Sequence, residues 1–216
     1  MRKSSIAILL IGLAFVANCS HSLKIQNLSE YYSSYSFAGK KHKIGVIINS
    51  ANPAEERHAE EILQALRATG NFEVIFPYNP TASKVEYILE LRPKVTYDGS
   101  RWNFLISFPG FLIFAPAWNG YKYFADIETD ITIKKNNIVT KQIMIPFSLK
   151  ANHSDLGRTW TQGVDWLLTL GLSSLIGGFI YTSFDSDIEG EFFRNYVNSY
   201  GKYIANKIAN EFGTLN

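Results

Sequence analysis

Lys43-Ile-Gly-Val-Ile-Ile-Asn49, followed by Asn52-Pro53-Ala54-Glu55, decides the architecture of this chain. The first stretch is a short, apolar, β-branched run without alternation, the pattern of a strand covered on both faces. In the second, Asn52 is suited to cap a helix and Pro53 to fill its first turn. Glu55 stands where a capping box reaches back. Ala59, Ile62, Leu63 and Leu66 then share one helical stripe, and Gly70 is a natural stop. Phe72-Glu-Val-Ile-Phe-Pro77 reads as the next strand. Together these predict a β-α-β unit with parallel pairing and a right-handed crossover.

Downstream, Val85, Ile88 and Leu89 predict a short helix over about 82–91, ended by Arg92-Pro93. Lys94 to Tyr97, a turn at Asp98-Gly99, and Arg101 to Phe108 predict a hairpin. Tyr123 to Lys134 alternates: Tyr123, Ala125, Ile127, Thr129, Ile131 and Ile133 fall on one face, and Asp126, Glu128 and Asp130 on the other. Val139 to Leu149 alternates as well. A two-residue turn at Asn136-Asn137 would oppose Ile131 to Gln142 and mix the faces. Keeping the apolar sets together predicts a three-residue loop, Lys135-Asn136-Asn137, which sets Asp126, Glu128 and Asp130 opposite Pro146, Met144 and Gln142. Ala151 to Thr161 reads as a loop. Ser186 to about Phe212 is a helix with a buried stripe of Phe193, Val197, Tyr200, Ile204 and Ile208, locally weakened by Gly190 and Gly201. The fold class is therefore α/β (α+β): a two- or three-layer mixed sheet, β-α-β-α first, antiparallel hairpins next, helices last. One α/β domain is expected over 43–150, with an apolar helical segment and a C-terminal amphipathic helix over 151–216.

All four tryptophans lie beside two apolar stretches. Trp102 and Trp118 bracket Phe104 to Ala117, which reads as two core strands split at Pro109-Gly110. Trp160 and Trp166 precede Leu167 to Ile180. No residue from Trp166 to Phe184 is charged, and as a helix this run would be roughly 28 Å long, close to a bilayer's hydrocarbon thickness. Thr169, Ser173 and Gly177 share one face at small-xxx-small spacing, which permits close helix packing. Buried core or oligomer contact, membrane-surface or re-entrant contact and a true span all stay open for this run. The four tryptophans with Thr169, Ser173 and Gly177 form a candidate interaction surface, since tryptophan favours both membrane and protein interfaces.

Upstream, Arg2 and Lys3 precede the apolar run Ile6 to Val16, and Cys19, the only cysteine, follows. The run is shorter than the roughly 20 residues a transmembrane helix needs, so a cleaved signal over 1–18 is the better reading. Val16-Ala17-Asn18-Cys19 resembles the lipobox of bacterial lipoproteins, with Asn18 where that family usually has Gly, Ala or Ser. The resemblance implies that Cys19 becomes the acylated N-terminus, and Ser20 after it leans towards outer-membrane sorting. Two or more acyl chains bind a membrane stably. Residues 19–42 read as a polar tether, His21 and His42 included.

A net charge of +2 is mild and no Lys/Arg run marks a nucleic-acid surface; Lys40-Lys41-His42-Lys43, the densest basic spot, reads as a solvated end of the tether. Phosphate-binding, zinc-protease and serine-hydrolase motifs are missing from the sequence, and the histidines lack metal-ligand spacing, so no cofactor is expected. His58, among Glu55, Glu56, Glu60 and Glu61, reads as part of a solvated helix face. Asp185 to Gly190 copies the opening of a calcium loop, but Tyr196 occupies the position that needs a bidentate Glu. The acidic ladder Asp126, Glu128, Asp130 reads as a wet strand face.

The order β-α-β-α, then antiparallel strands and a helix, on a lipidated tether, resembles the periplasmic α/β domain of the TolB amino-terminal, CsgG and LpoB kind, over about Lys43 to Leu149. That resemblance implies an envelope scaffold, assembly factor or secretion accessory without catalysis. The chain is thus expected to be a non-enzymatic outer-membrane lipoprotein facing the periplasm or the cell surface. It would hold the membrane through its lipid and bind a protein partner or itself. A membrane-active or pore-forming oligomer using 163–184, and an envelope hydrolase with scattered residues, are the alternatives.

Overall fold

In the computed structural model, the described residues are 22–25, 41–107, 120–153 and 186–214. Their elements are β1 (Ser22–Ile25), β2 (His42–Ile48), α1 (Pro53–Ala68), β3 (Phe72–Ile75), β4 (Tyr87–Gly99), α2 (Asn103–Ser107), β5 (Tyr121–Lys135), β6 (Ile138–His153) and α3 (Ser186–Gly213). The strands form a mixed sheet in the order β1-β6-β5-β4-β2-β3. Two compact units divide the chain: Gln26–Thr96, Asp126–Ser148 and Asp187–Asn216 make the larger, and Met1–Ile25, Tyr97–Ala125 and Leu149–Ser186 the smaller.

The β-α-β unit forms as its caps dictate. Asn52 Oδ1 accepts from Glu55 N–H at 3.0 Å, and Glu55 Oε2 accepts from Ala51 N–H at 2.7 Å. Such a cap is worth about 1 kcal/mol. Ala59, Ile62, Leu63 and Leu66 are buried as their spacing demands, each large side chain contributing about 1.5–3 kcal/mol. Gly70 takes φ +72°, a conformation open to glycine at little cost. The chain then returns to pair β3 in parallel with β2, Ile44 opposite Val74. Helices cover one side of β2. Its other side at Gly45 is taken by the Tyr78 ring, which stands 2.4 Å from where a Cβ would be.

The helix expected over 82–91 does not form. Tyr87 to Gly99 is a strand, and β4 pairs in parallel with β2, Ile44 opposite Tyr87 and Ile48 opposite Leu91. Tyr87, Leu89 and Leu91 are buried, while Arg92 and Lys94 are exposed. This is a period of two that Pro93 disguised as a helix stop. Proline is tolerated there because Leu91 O, two residues back, takes the N–H of Asn49 just past the end of β2. The nitrogen of Pro93 faces the same edge, beyond the last residue of β2, where no ladder bond is lost.

The hairpin expected at Asp98-Gly99 is also absent. Lys94 and Asp130 pair at 3.2 Å and Glu90 and Lys134 at 2.5 Å, which sets β5 antiparallel to β4. Phe104 to Ser107, expected in a strand, is helical in α2. Ser22–Ile25, expected in the tether, pairs with β6, and Ala151–His153, expected in a loop, completes that strand.

The β5–β6 connection corrects the expected loop. Asn136 and Asn137 have φ 51° and 64° and are the whole turn between Lys135 and Ile138, as a two-residue hairpin of the I′ kind demands. Yet Ser148 Oγ donates to Asp126 Oδ1 at 2.5 Å, and Ile145 and Phe147 are buried on the same side as Ile127, Thr129, Ile131 and Ile133. Matched faces across a two-residue turn need one extra residue in one strand, the arithmetic of a β-bulge, and the contacts of Asp126 with Ser148 and of Phe124 with Lys150 place it in β6. Asp126 therefore faces Ser148, not Pro146.

Within the larger unit, α1 and α3 pack on the same sheet face. Val197, Tyr200, Ile204 and Ile208 of the expected stripe are buried, and Phe193 is half-buried. Phe147 meets the rings of Tyr196, Tyr200 and Tyr203, and Phe212 meets those of Phe72 and Tyr87. Gly201 is the close-approach point of the two helices: a Cβ there would lie 2.7 Å from the Glu61 carbonyl oxygen.

Candidate functional site

The sheet face of the larger unit away from α1 and α3 carries a groove of about 490 Å³. Asn49, Glu90, Arg92, Asp130, Thr132, Gln142 and Met144 line it. Three strands build it from their outward positions: Glu90 and Arg92 from β4, Asp130 and Thr132 from β5, Gln142 and Met144 from β6. The carboxylates are matched to lysines, Glu90 to Lys134 and Asp130 to Lys94, and Asp126 of the same row accepts from Ser148. Met144 is 58% exposed. The two lining carboxylates are thus each paired with a lysine, beside the exposed Arg92 and an accessible thioether.

The ladder Asp126, Glu128, Asp130 was legible in the sequence. Glu90 and Arg92 join it only in the fold, because the sequence pattern over 82–91 reads as a helix ended at Arg92-Pro93. The period-two run Tyr87, Leu89, Leu91 is the signal that could have placed them.

Two titratable groups with displaced pKa values, His58 and Tyr200, lie in the helix-covered core. His58, expected on a solvated helix face, is fully buried. Burial holds its pKa down at about 4, the neighbouring Arg57 adding to the shift and the Ala54 carbonyl and Glu55 opposing it. Nδ1 lies 2.7 Å from the Ala54 carbonyl oxygen and Nε2 lies 2.7 Å from the Tyr196 hydroxyl. A carbonyl can only accept, so Nδ1 carries the proton and Nε2 accepts from Tyr196 O–H. Tyr200 and Thr129 share a buried hydroxyl–hydroxyl bond of 2.6 Å, and burial pushes the Tyr200 phenol well above its ordinary value. His42, expected in the tether, is buried at the start of β2. Its Nδ1 meets Glu86 Oε2 at 3.0 Å and its ring meets Tyr87 and Phe212. Among the described residues no cluster of His, Cys, Asp and Glu is placed to hold a metal ion.

In the smaller unit, Asn103 replaces a strand residue. It is fully buried, its Nδ2 donates to Lys122 O at 3.0 Å, and its Oδ1 accepts from Lys122 N–H at 2.8 Å. This two-point bond fastens α2 to the start of β5. The helix then presents Phe104 and Leu105, 43% and 45% exposed, beside Trp102, 67% exposed. Trp102, expected on an interaction surface, is accessible to solvent. Cys19, Trp118, Trp160, Trp166, Thr169, Ser173 and Gly177 lie outside the described residues, and so does the run Trp166 to Phe184. No described helix is long and apolar enough to cross a membrane.

No protein-family model and no curated protein matches the chain. Two solved structures to which it is similar are a minor lipoprotein from Acinetobacter baumannii and a protein from Caulobacter crescentus also described as a lipoprotein. The first is 9% identical over 70% of this chain and 92% of that one, with a TM-score of 0.32. The second is 10% identical over 69% of this chain and 89% of that one, with a TM-score of 0.28.

Proposed function

We propose that this chain is a non-enzymatic cell-envelope lipoprotein, held at the outer membrane through acylated Cys19 and acting through protein–protein contacts as a scaffold, assembly factor or secretion accessory. The lipobox-like Val16-Ala17-Asn18-Cys19 supports the anchor. The observation that carries the contact role is the grooved sheet face, where Glu90, Asp130 and Asp126 are already engaged by Lys134, Lys94 and Ser148. Carboxylates so engaged are poor general acids or bases, whereas a paired polar surface around an exposed methionine has the make-up of an interface rim and its anchor.

A photo-crosslinking residue placed at Gln142 or at Met144 of the lipidated protein in cells tests the reading. A discrete protein adduct is expected from both positions, competed by excess unsubstituted mature protein and not formed from Glu60 on α1. Adducts of equal yield from all three positions, or none from Gln142 and Met144, refute it.

A further inference from the structure

Among the described residues of the smaller unit, the exposed large apolar side chains, Trp102, Phe104 and Leu105, stand close together in the chain. β1 opens at Ser22, which lies opposite Asn152 near the end of β6. Cys19 precedes Ser22 by three residues, a length of chain that spans at most about 11 Å. β5 runs antiparallel to β6, so its first residue, Tyr121, belongs to the same end of these strands as His153. The turn that leads into α2 is fastened there: Ser100 N–H donates to Lys122 O at 2.9 Å, and the Asn103 side-chain amide bonds both the C=O and the N–H of Lys122. Trp102, Phe104 and Leu105 therefore sit at the same end of these strands as Ser22, three residues after Cys19 in the chain.

The charges complete the pattern. Arg101, Lys122 and Lys150 are exposed, and Asp98 is the one acidic residue among the described residues of this unit. The Asp98 carboxylate is partly engaged, accepting from Gly99 N–H at 2.8 Å. An apolar ridge led by tryptophan and rimmed by cations matches a bilayer interface, where indole sits at headgroup depth and basic groups meet anionic phosphates. A protein partner would meet the same apolar ridge with no reason for it to stand beside the lipid.

We infer that the Trp102–Phe104–Leu105 ridge is a second membrane contact, resting on the surface of the bilayer that receives the acyl chains of Cys19. The inference rests on the lipoprotein reading and adds an orientation to it. The lipid supplies retention, and the ridge sets which end of the smaller unit faces the membrane. Ridge and rim together enter only the headgroup and upper acyl region, as a surface-lying amphipathic element does.

The acylated sulfur of Cys19 leaves the mature chain without a free thiol, so Phe104→Cys and Leu105→Cys each offer one site for a nitroxide. The full lipidated protein is placed in vesicles of phosphatidylethanolamine and phosphatidylglycerol and floated. The collision ratio of oxygen to a water-soluble nickel chelate is then read. At both ridge positions the ratio is expected to be several-fold above that of Glu60→Cys on α1, and to fall when Arg101→Glu is added. Ridge labels that match Glu60→Cys in floated vesicles overturn the inference while leaving the anchor standing. So do ridge labels immobilised and shielded from both quenchers, because a protein then covers them. A chain that does not float overturns the lipoprotein reading itself, and the inference with it.

Discussion

Tyr196 O–H donates to His58 Nε2 across 2.7 Å, joining α3 to α1 by a hydrogen bond wholly inside the protein. The imidazole is neutral in the folded chain, with its pKa held down at about 4 by burial, whereas in the unfolded chain it has the ordinary value near 6.5. As pH falls through 6.5 the unfolded chain takes up a proton that the folded chain refuses until about pH 4. Stability is therefore present above pH 6.5 and lost between 6.5 and 4, by roughly 3 kcal/mol from this group. Urea melts of the wild type across that range should show the loss, and His58→Gln should flatten it. Tyr196→Phe should cost about 1–3 kcal/mol at pH 7 by leaving Nε2 without a donor. A wild-type curve as flat as that of His58→Gln would disprove the buried neutral histidine.

Gly201 should resist alanine although it sits inside a helix. Alanine gains about 1 kcal/mol over glycine in a helix interior, but here its Cβ would press on the Glu61 carbonyl at 2.7 Å. Gly201→Ala is expected to destabilise by about 1–3 kcal/mol. Gly190→Ala is expected to be neutral or to stabilise by up to about 1 kcal/mol, since its nearest neighbour is an Arg194 side-chain nitrogen at 3.9 Å. A Gly201→Ala midpoint at or above that of the wild type would show that α1 and α3 do not approach at Gly201.

The two faces of β5 should respond oppositely to charge. Ile131 is buried, so Ile131→Asp places a carboxylate in the core at a cost of several kcal/mol. Asp130 pairs with Lys94 on a half-exposed face, so Asp130→Asn should cost less than about 1 kcal/mol. Equal midpoint shifts in chemical denaturation would refute the face assignment.

Cys19→Ala should abolish incorporation of labelled palmitate and release any cleaved product from the membrane fraction. Label entering the mutant as fully as the wild type would place the lipid elsewhere.

The elements legible beforehand share one property: their signals are local. Asn52, Glu55 and the stripe Ala59 to Leu66 specify α1 within a few residues, and strict alternation specifies the buried side of β5 from Tyr123 to Ile133. β4 escaped because Val85, Ile88 and Leu89 also fit a helical stripe and Pro93 looked like a stop. What makes Pro93 acceptable is the end of β2 at Ile48, more than forty residues earlier in the chain. The groove escaped with it, since Glu90 and Arg92 meet Asp130 and Gln142 only through the pairing of β4 with β5.

By itself the sequence determined the β-α-β start, the inward side of β5 and the long C-terminal helix, because caps, spacing and period are encoded between near neighbours. Only the tertiary structure decided that His42 and His58 are buried, that Asn103 replaces a strand residue against Lys122, and that the two-residue turn at Asn136-Asn137 coexists with matched faces through one extra residue in β6. Each of these depends on a partner distant in the chain. Desolvation, a borrowed hydrogen bond and a shifted register are properties of a packed pair, and a linear pattern holds only one member of the pair at a time.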